Sequence, residues 1–233
     1  RNGQMYTQQY PVDADKRKYP RDIDAGTRWN KIVHNAWKSA EPGVLFWDTI
    51  VKESVPGCYA DEGFTTVSTN PCGEIPLCPY DSCRLLAMNL YSYVDDPFTP
   101  KAKFNFDKFR KHVNSAMRMM DDIIDLELEK IDQIYNKIKK DPEDLDIRRV
   151  ELTRWEKIRE KAQKGRRTGL GITAEGDMLA ALGLTYGTDE AIDFAVEVQK
   201  TLAIEAYRAS VQMAEERGSF PMYDHLKEEE NPM

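Results

Sequence analysis

The chain has 233 residues, 41% hydrophobic and 31% charged, the composition of an ordinary globular protein and not of a disordered or fibrous one. With 40 acidic against 33 basic side chains the net charge is −7, which argues against broad electrostatic binding to nucleic acid. No run approaches the ~18 consecutive apolar residues of a membrane helix, and no basic–apolar leader opens the chain. A cytoplasmic protein that engages neither membrane nor nucleic acid is therefore expected. The sequence begins Arg1-Asn2-Gly3-Gln4, without an initiator Met, and stops at Asn231-Pro232-Met233. It reads as an interior piece of a longer polypeptide.

In chain order, residues 24–40 have the apolar spacing of a helix (Trp29, Ile32, Val33, Ala36, Trp37, Ala40), capped by Asp24 and stopped by Glu41-Pro42-Gly43. The two tryptophans and Phe46 are expected in a core, and residues 44–51 form a second short helix. Residues 64–69 are β-branched and predict a strand. The next stretch, Asn70-Pro71-Cys72-Gly73-Glu74-Ile75-Pro76, cannot be regular: two prolines stiffen its ends and a glycine loosens its middle. Residues 84–94 look like a buried strand. The result is strand, rigid loop, strand, with Cys72 near the tip of the loop.

A long helix is predicted from residue 106 to about 140, broken at Asp141-Pro142, and a charged second helix covers about 143–164. Residues 165–172 are a glycine-punctuated strand candidate, followed by a short helix at 175–182 ending at Gly183. The last strong element is a helix at 188–217, with Thr188 as cap and Gly218 as stop. Its buried side is marked by Ile192, Ala195, Leu202, Ala206, Ala209 and Met213. Strands interleaved with long helices give an α/β class.

Two decoys can be set aside. Gly169-Leu170-Gly171-Ile172-Thr173-Ala174 fits a dinucleotide fingerprint, but the fingerprint needs an apolar strand before it, and Gln163-Lys164-Gly165-Arg166-Arg167 precedes instead. The acids Asp121, Asp122, Asp125, Glu127 and Glu129 contain no Glu-x-x-His pair, so they read as an exposed helix flank and not as a di-metal site.

Chemistry concentrates on the cysteines. Cys58, Cys72, Cys78 and Cys83 are separated by 13, 5 and 4 residues, and His34, His112 and His225 lie far off, which is not zinc-ligand spacing. No metal ligands are assigned, and Cys58 and Cys78 read as inert thiols. Cys72 shares its loop with the Glu74 carboxylate and the Asn70 amide. No histidine base is near in sequence, and a carboxylate alone barely ionises a thiol. One chemistry uses a neutral thiol directly: hydrogen-atom transfer through a sulfur radical, with a second cysteine supplying electrons through a disulfide.

Ser68-Thr69-Asn70-Pro71-Cys72-Gly73-Glu74-Ile75-Pro76-Leu77, followed by Pro79-Tyr80-Asp81-Ser82-Cys83-Arg84-Leu85, closely resembles the catalytic large chain of ribonucleotide reductases. It is most similar to the adenosylcobalamin-dependent (class II) branch. The resemblance extends through Pro42-Gly43-Val44-Leu45-Phe46-Trp47-Asp48, Arg166-Arg167-Thr168-Gly169-Leu170-Gly171 and Ser219-Phe220-Pro221. It implies that residues 1–233 are a fragment of a ten-stranded α/β barrel with long peripheral helices. The central finger loop would lie at about 68–78 and a helical excursion at about 106–164. By the same resemblance Cys72 is the thiyl-radical cysteine, Glu74 the base at the 3′-hydroxyl and Asn70 the amide on the substrate. Ser68 would join these three in binding substrate. Cys83 would be one member of the redox pair, its partner lying outside the chain.

The resemblance further implies a ribonucleoside di- or triphosphate substrate, nucleotide effectors, a thioredoxin-type reductant, the remainder of the same enzyme as partner, and a homodimer. Two alternatives stay open: the large subunit of a di-iron-dependent reductase, and a cysteine-clustered metal-binding or scaffold module.

Overall fold

A computed structural model describes residues 4–10 and 19–229; the chain ends read above as cut lie outside them in part. The chain divides into two compact units, Arg1–Lys52 and Glu53–Met233.

In the first unit, β1 (Met5–Gln8) pairs antiparallel with β2 (Arg21–Asp24), Met5 opposite Asp24. Short and mostly exposed, these strands carry no alternation for the sequence to announce. α1 (Ala25–Ser39) starts where expected, because the Asp24 carboxylate accepts from the Thr27 N–H at 2.6 Å. It stops at Ala40, which takes a left-handed φ of 58° and returns its N–H to Ala36. The expected core role of the aromatics is overturned here: Trp29, Trp37 and Phe46 are 51%, 80% and 70% exposed. No residue of α1 is buried, so its apolar face finds no covering layer among the described residues of this unit. α2 spans Trp47–Glu53, three residues later than the apolar run suggested.

The second unit opens with a 3₁₀ segment, Val55–Glu62. Most of the strand predicted at 64–69 is absent, since only Ser68–Thr69 (β3) pairs, with Pro76–Leu77 (β4). Phe64 and Thr66 are buried for other reasons. Phe64 fills the space left by the missing side chain of Gly165, where a Cβ would stand 2.8 Å from its ring, and Thr66 shares a 3.0 Å hydroxyl hydrogen bond with Ser54. The strand predicted at 84–94 is also shorter, as β5 (Arg84–Asn89) gives way to a 3₁₀ turn over Leu90–Tyr93. A hairpin of β6 (Val94–Asp95) and β7 (Lys103–Phe104) leads into α3 (Phe106–Ile138), α4 (Leu145–Gly165) and β8 (Thr168–Thr173). Then come α5 (Glu175–Leu182), α6 (Asp189–Arg217) and α7 (His225–Glu229).

β5 and β8 pair in parallel, Arg84 opposite Thr168 through Asn89 opposite Thr173. A parallel pair needs a crossover too long for a hairpin, and α3 with α4 supplies it. The α/β class is thus observed. Among the described residues every sheet has two strands and none closes.

The core lies between this strand pair and the helices. On α3, Phe109, Val113, Ala116, Met120 and Ile124 recur every three or four residues and are buried, the stripe a helix turns toward a core. Met88, Leu90, Tyr93, Met178, Val198 and Leu202 form one cluster with Phe109, Val113 and Ala116. On α6, Leu202 and Ala209 are buried as expected, but Ile192 is 51% exposed. A smaller cluster of Tyr59, Phe64, Cys78 and Met222 sits beneath the β3–β4 hairpin.

Candidate active site

The loop between β3 and β4 is closed by its own first residue. Asn70 accepts three times: its backbone carbonyl takes the Gly73 N–H and the Thr69 hydroxyl, each at 3.0 Å, and its side-chain Oδ1 takes the Ile75 N–H at 2.9 Å. Its own N–H donates to the Ile75 carbonyl at 3.2 Å. Pro71 and Cys72 therefore occupy the two central positions of a turn, where proline's fixed φ suits the first. Gly73 then takes φ +86°, which a side chain would resist. Cys72 stands exposed at the tip, with Glu74 exposed just beyond Gly73. The oxygen of the Asn70 amide is thus committed to the loop, and its Nδ2 donors are the end that can meet a ligand. Ser68 lies on β3, its hydroxyl turned onto the neighbouring Thr69 carbonyl at 3.3 Å.

Cys83 sits at the other foot of the same excursion, one residue before β5, and is half-buried. A Cβ on Gly169 would come within 2.7 Å of its Sγ, so only glycine leaves the thiol this room. Burial pushes the Cys83 thiol up from its ordinary value; the Arg167 and Arg84 charges pull the other way, and Asp81 and Glu74 add to the rise. Glu74 is thereby brought into electrostatic reach of Cys83 as well as next to Cys72 in the loop. Burial also raises the Cys58 thiol, and it carries Cys78 to about 11, which fits their reading as inert.

The root of the excursion is gripped by groups the sequence reading passed over. Arg84 is buried and pairs with Glu127 of α3, while its Nη1 donates to the Ser82 carbonyl at 3.0 Å. Arg167 pairs with Asp81 and also donates to the Pro76 carbonyl at 2.8 Å. Lys161 of α4 donates to the Gly63 carbonyl at 2.8 Å and stands 4.0 Å over the Phe64 ring. The available signal was the charge of Arg84 and Arg167 beside apolar strand residues, which demands a partner.

The acid cluster is also more than a solvated flank. Asp121 and Asp125 bind Arg166 at 2.7 and 2.8 Å, and Arg217 bridges Asp121 and Asp122 at 2.7 and 2.9 Å. These three carboxylates form the one group of potential metal ligands among the described residues, and arginines already neutralise them. The four cysteines do not join such a group.

A family model of the ribonucleotide reductase barrel domain matches residues 2–231. The chain belongs to that family. A vitamin B12-dependent ribonucleoside-diphosphate reductase of Thermoplasma acidophilum is 33% identical over 91% of this chain, and one of Mycobacterium tuberculosis 31% over 86%. The chain spans 23% and 24% of the length of these two reductases. Among solved structures, the class Id ribonucleotide reductase alpha subunit of Actinobacillus ureae superposes with a TM-score of 0.58. That match covers 84% of this chain and 33% of the subunit, at 19% identity. The last comparison establishes a shared fold. Among the described residues, no helix of this reductase domain is long and apolar enough to cross a membrane.

Proposed function

We propose that the chain is the thiol-bearing part of a ribonucleotide reductase that converts ribonucleotides to deoxyribonucleotides by radical chemistry. In this reading residues 1–233 are a fragment of its ten-stranded barrel, with the finger at about 68–78 and the helical excursion at about 106–164. The observation that carries it is the pairing of one exposed thiol, Cys72, on a self-closed loop with a second, half-buried thiol, Cys83, at the root of the same excursion. Their roles differ as their surroundings do.

Cys72, as a sulfur radical, takes the hydrogen atom from C3′ of the ribose and is left as a thiol. Glu74 takes the proton of the 3′-hydroxyl, Asn70 donates from its Nδ2 group to the sugar, and Ser68 joins them in binding substrate. The 2′-hydroxyl then leaves as water. Cys83 and a cysteine outside this chain give up two electrons and two protons and close a disulfide; Cys72 then returns its hydrogen atom to C3′, regenerating the sulfur radical, and Glu74 returns its proton to the 3′-oxygen. A thioredoxin-type reductant reopens the disulfide, and nucleotide effectors, the rest of the enzyme and a second copy complete the assembly. The enzyme so described works in the cytoplasm.

Adenosylcobalamin would supply the initial radical, as the names of the B12-dependent relatives suggest. The exposure of Cys72 suits a bulky radical source approaching the loop tip, and no residue of this chain is assigned to holding the corrinoid. The substrate is named by class alone, a ribonucleoside di- or triphosphate. Replacing Cys72 by Ser in the full-length enzyme keeps the loop's shape but presents an O–H bond far harder to break homolytically. Deoxynucleotide formation should vanish with the fold intact; substantial turnover would end the radical assignment.

A further inference from the structure

Arg167 stands one residue before β8, and its guanidinium reaches two separate stretches of chain. Nη1 donates to the Asp81 carboxylate, and Nη2 donates to the Pro76 carbonyl at 2.8 Å. Pro76 belongs to β4, the returning strand of the hairpin that carries Cys72. Asp81 lies in the turn between that hairpin and Cys83, and its second oxygen accepts the Ser82 N–H at 2.9 Å. One side chain thus joins the support of the first thiol to the segment that sets the second.

The other bonds nearby do not make this link. Val67 N–H to the Leu77 carbonyl, at 3.0 Å, acts within the hairpin, and Asp81 N–H to the Cys78 carbonyl, at 3.3 Å, acts within the turn. Arg167 connects the two from outside, and it is itself anchored. Extending the β5–β8 register one step back from Arg84 opposite Thr168 puts Cys83 opposite Arg167. The Arg167 carbonyl also accepts from Arg84 at 3.4 Å. The ion pair is well covered, with side-chain exposures of 18% for Arg167 and 1% for Asp81. A planar guanidinium can serve two divergent acceptors at once, whereas a lysine ammonium is a point charge on a flexible stem.

We propose that Arg167, together with Asp81, is a positioning residue of the thiol site, fixing the Cys72 hairpin relative to Cys83 so that both thiols address one ribose. The proposal rests on the functional reading above. It gives the arginine of the Arg166-Arg167-Thr168-Gly169 stretch a task distinct from that of Arg166, which faces the α3 carboxylates.

The test uses the full-length reductase in two variants. Arg167→Lys keeps the charge that Asp81 needs but cannot span both acceptors. The double variant Arg167→Gln/Asp81→Asn removes both charges together, so that neither is left buried and alone. In each, kcat should fall by about a hundredfold while KM moves by less than about twofold, the pattern of misplaced reacting groups. Hydrogen exchange at the hairpin amides of Asn70, Gly73 and Ile75 should quicken by about tenfold or more, with α3 amides unchanged. A kcat within about twofold of wild type with hairpin exchange unchanged in both variants overturns the proposal, as does a rise in KM at constant kcat. Cys72→Ser run alongside separates the two readings. If that variant still reduces nucleotides the functional reading fails, while the hairpin exchange still reports whether Arg167 holds the loop.

Discussion

Along the buried stripe of α3 the chain is held by carbon packed on carbon; around the Cys72 hairpin it is held chiefly by charges on carboxylates and carbonyls. In the first region Phe109, Val113, Met120 and Ile124 are wholly covered, and Tyr93 meets Phe109 edge-on with ring centroids 5.0 Å apart. In the second, the paired strands are two residues long, Cys72 and Glu74 face outward, and the root hangs on Arg84, Arg167, Asp81 and Glu127. Apolar packing is non-directional and makes a stiff body, whereas a two-ended guanidinium fixes direction. A thiol that must stay accessible yet stand in one place is better served by the second kind of support. The scaffold beneath it is better served by the first.

The comparison breaks most sharply at Phe109. Phe109→Ala removes a fully covered ring at the junction of Tyr93 and Phe104 and should cost about 3–5 kcal/mol in urea unfolding of the purified chain. The whole second unit should lose cooperativity with it. A loss below about 1 kcal/mol would mean that this cluster is not the core.

A smaller effect is expected where the two regions touch, at Gly169. Its β8 backbone faces both Leu85 of β5 and the thiol of Cys83, at 2.9 and 2.7 Å from the place a Cβ would take. Gly169→Ala must push one of them aside, an overpacking cost of about 1–3 kcal/mol. Because Leu85 is 64% exposed it can move into solvent, while Cys83, held in the chain beside Arg84, has less freedom. Alkylation of Cys83 should therefore change in rate while that of Cys72 does not. Equal rates before and after the substitution would show that the thiol does not depend on this slot.

How far the sequence foretold each region follows the same division. Periodicity announced α3, α5 and α6, and the caps at Asp24 and Thr188 are where the residue types suggested, because those signals act within a few residues of chain. The two prolines and the glycine of the Asn70-to-Pro76 stretch likewise announced an irregular loop with Cys72 at its tip. Partners far apart in sequence were not legible. Arg84 and Glu127 are 43 residues apart, Arg167 and Asp81 are 86, and no local pattern ties either pair. The misread strand at 64–69 has the same origin. Phe64 and Thr66 carry strand-like residue types, but Gly165 and Ser54 bury them, and no neighbouring strand does.

The subtlest expected effect sharpens the boundary between the regions, at Cys78 in the small cluster under the hairpin. Burial, with Asp81 adding to it, lifts this thiol from an ordinary 9.0 to about 11. Well below pH 9 the folded and unfolded chains both hold the proton, and the thiol has no effect on the balance. Between 9 and 11 the unfolded chain loses that proton and the folded one keeps it. Folding then binds more protons than unfolding, so stability falls as pH rises, by about 0.4 kcal/mol already at pH 9. Tyr59, whose phenol burial also raises, acts in the same direction but stays the same when Cys78 alone is changed. Urea unfolding of the chain and of Cys78→Ala, under reducing conditions at pH 8, 9 and 10, should give a shallower alkaline decline for the variant. Parallel declines would mean that water reaches the foot of the hairpin, and that the hairpin's support is polar throughout.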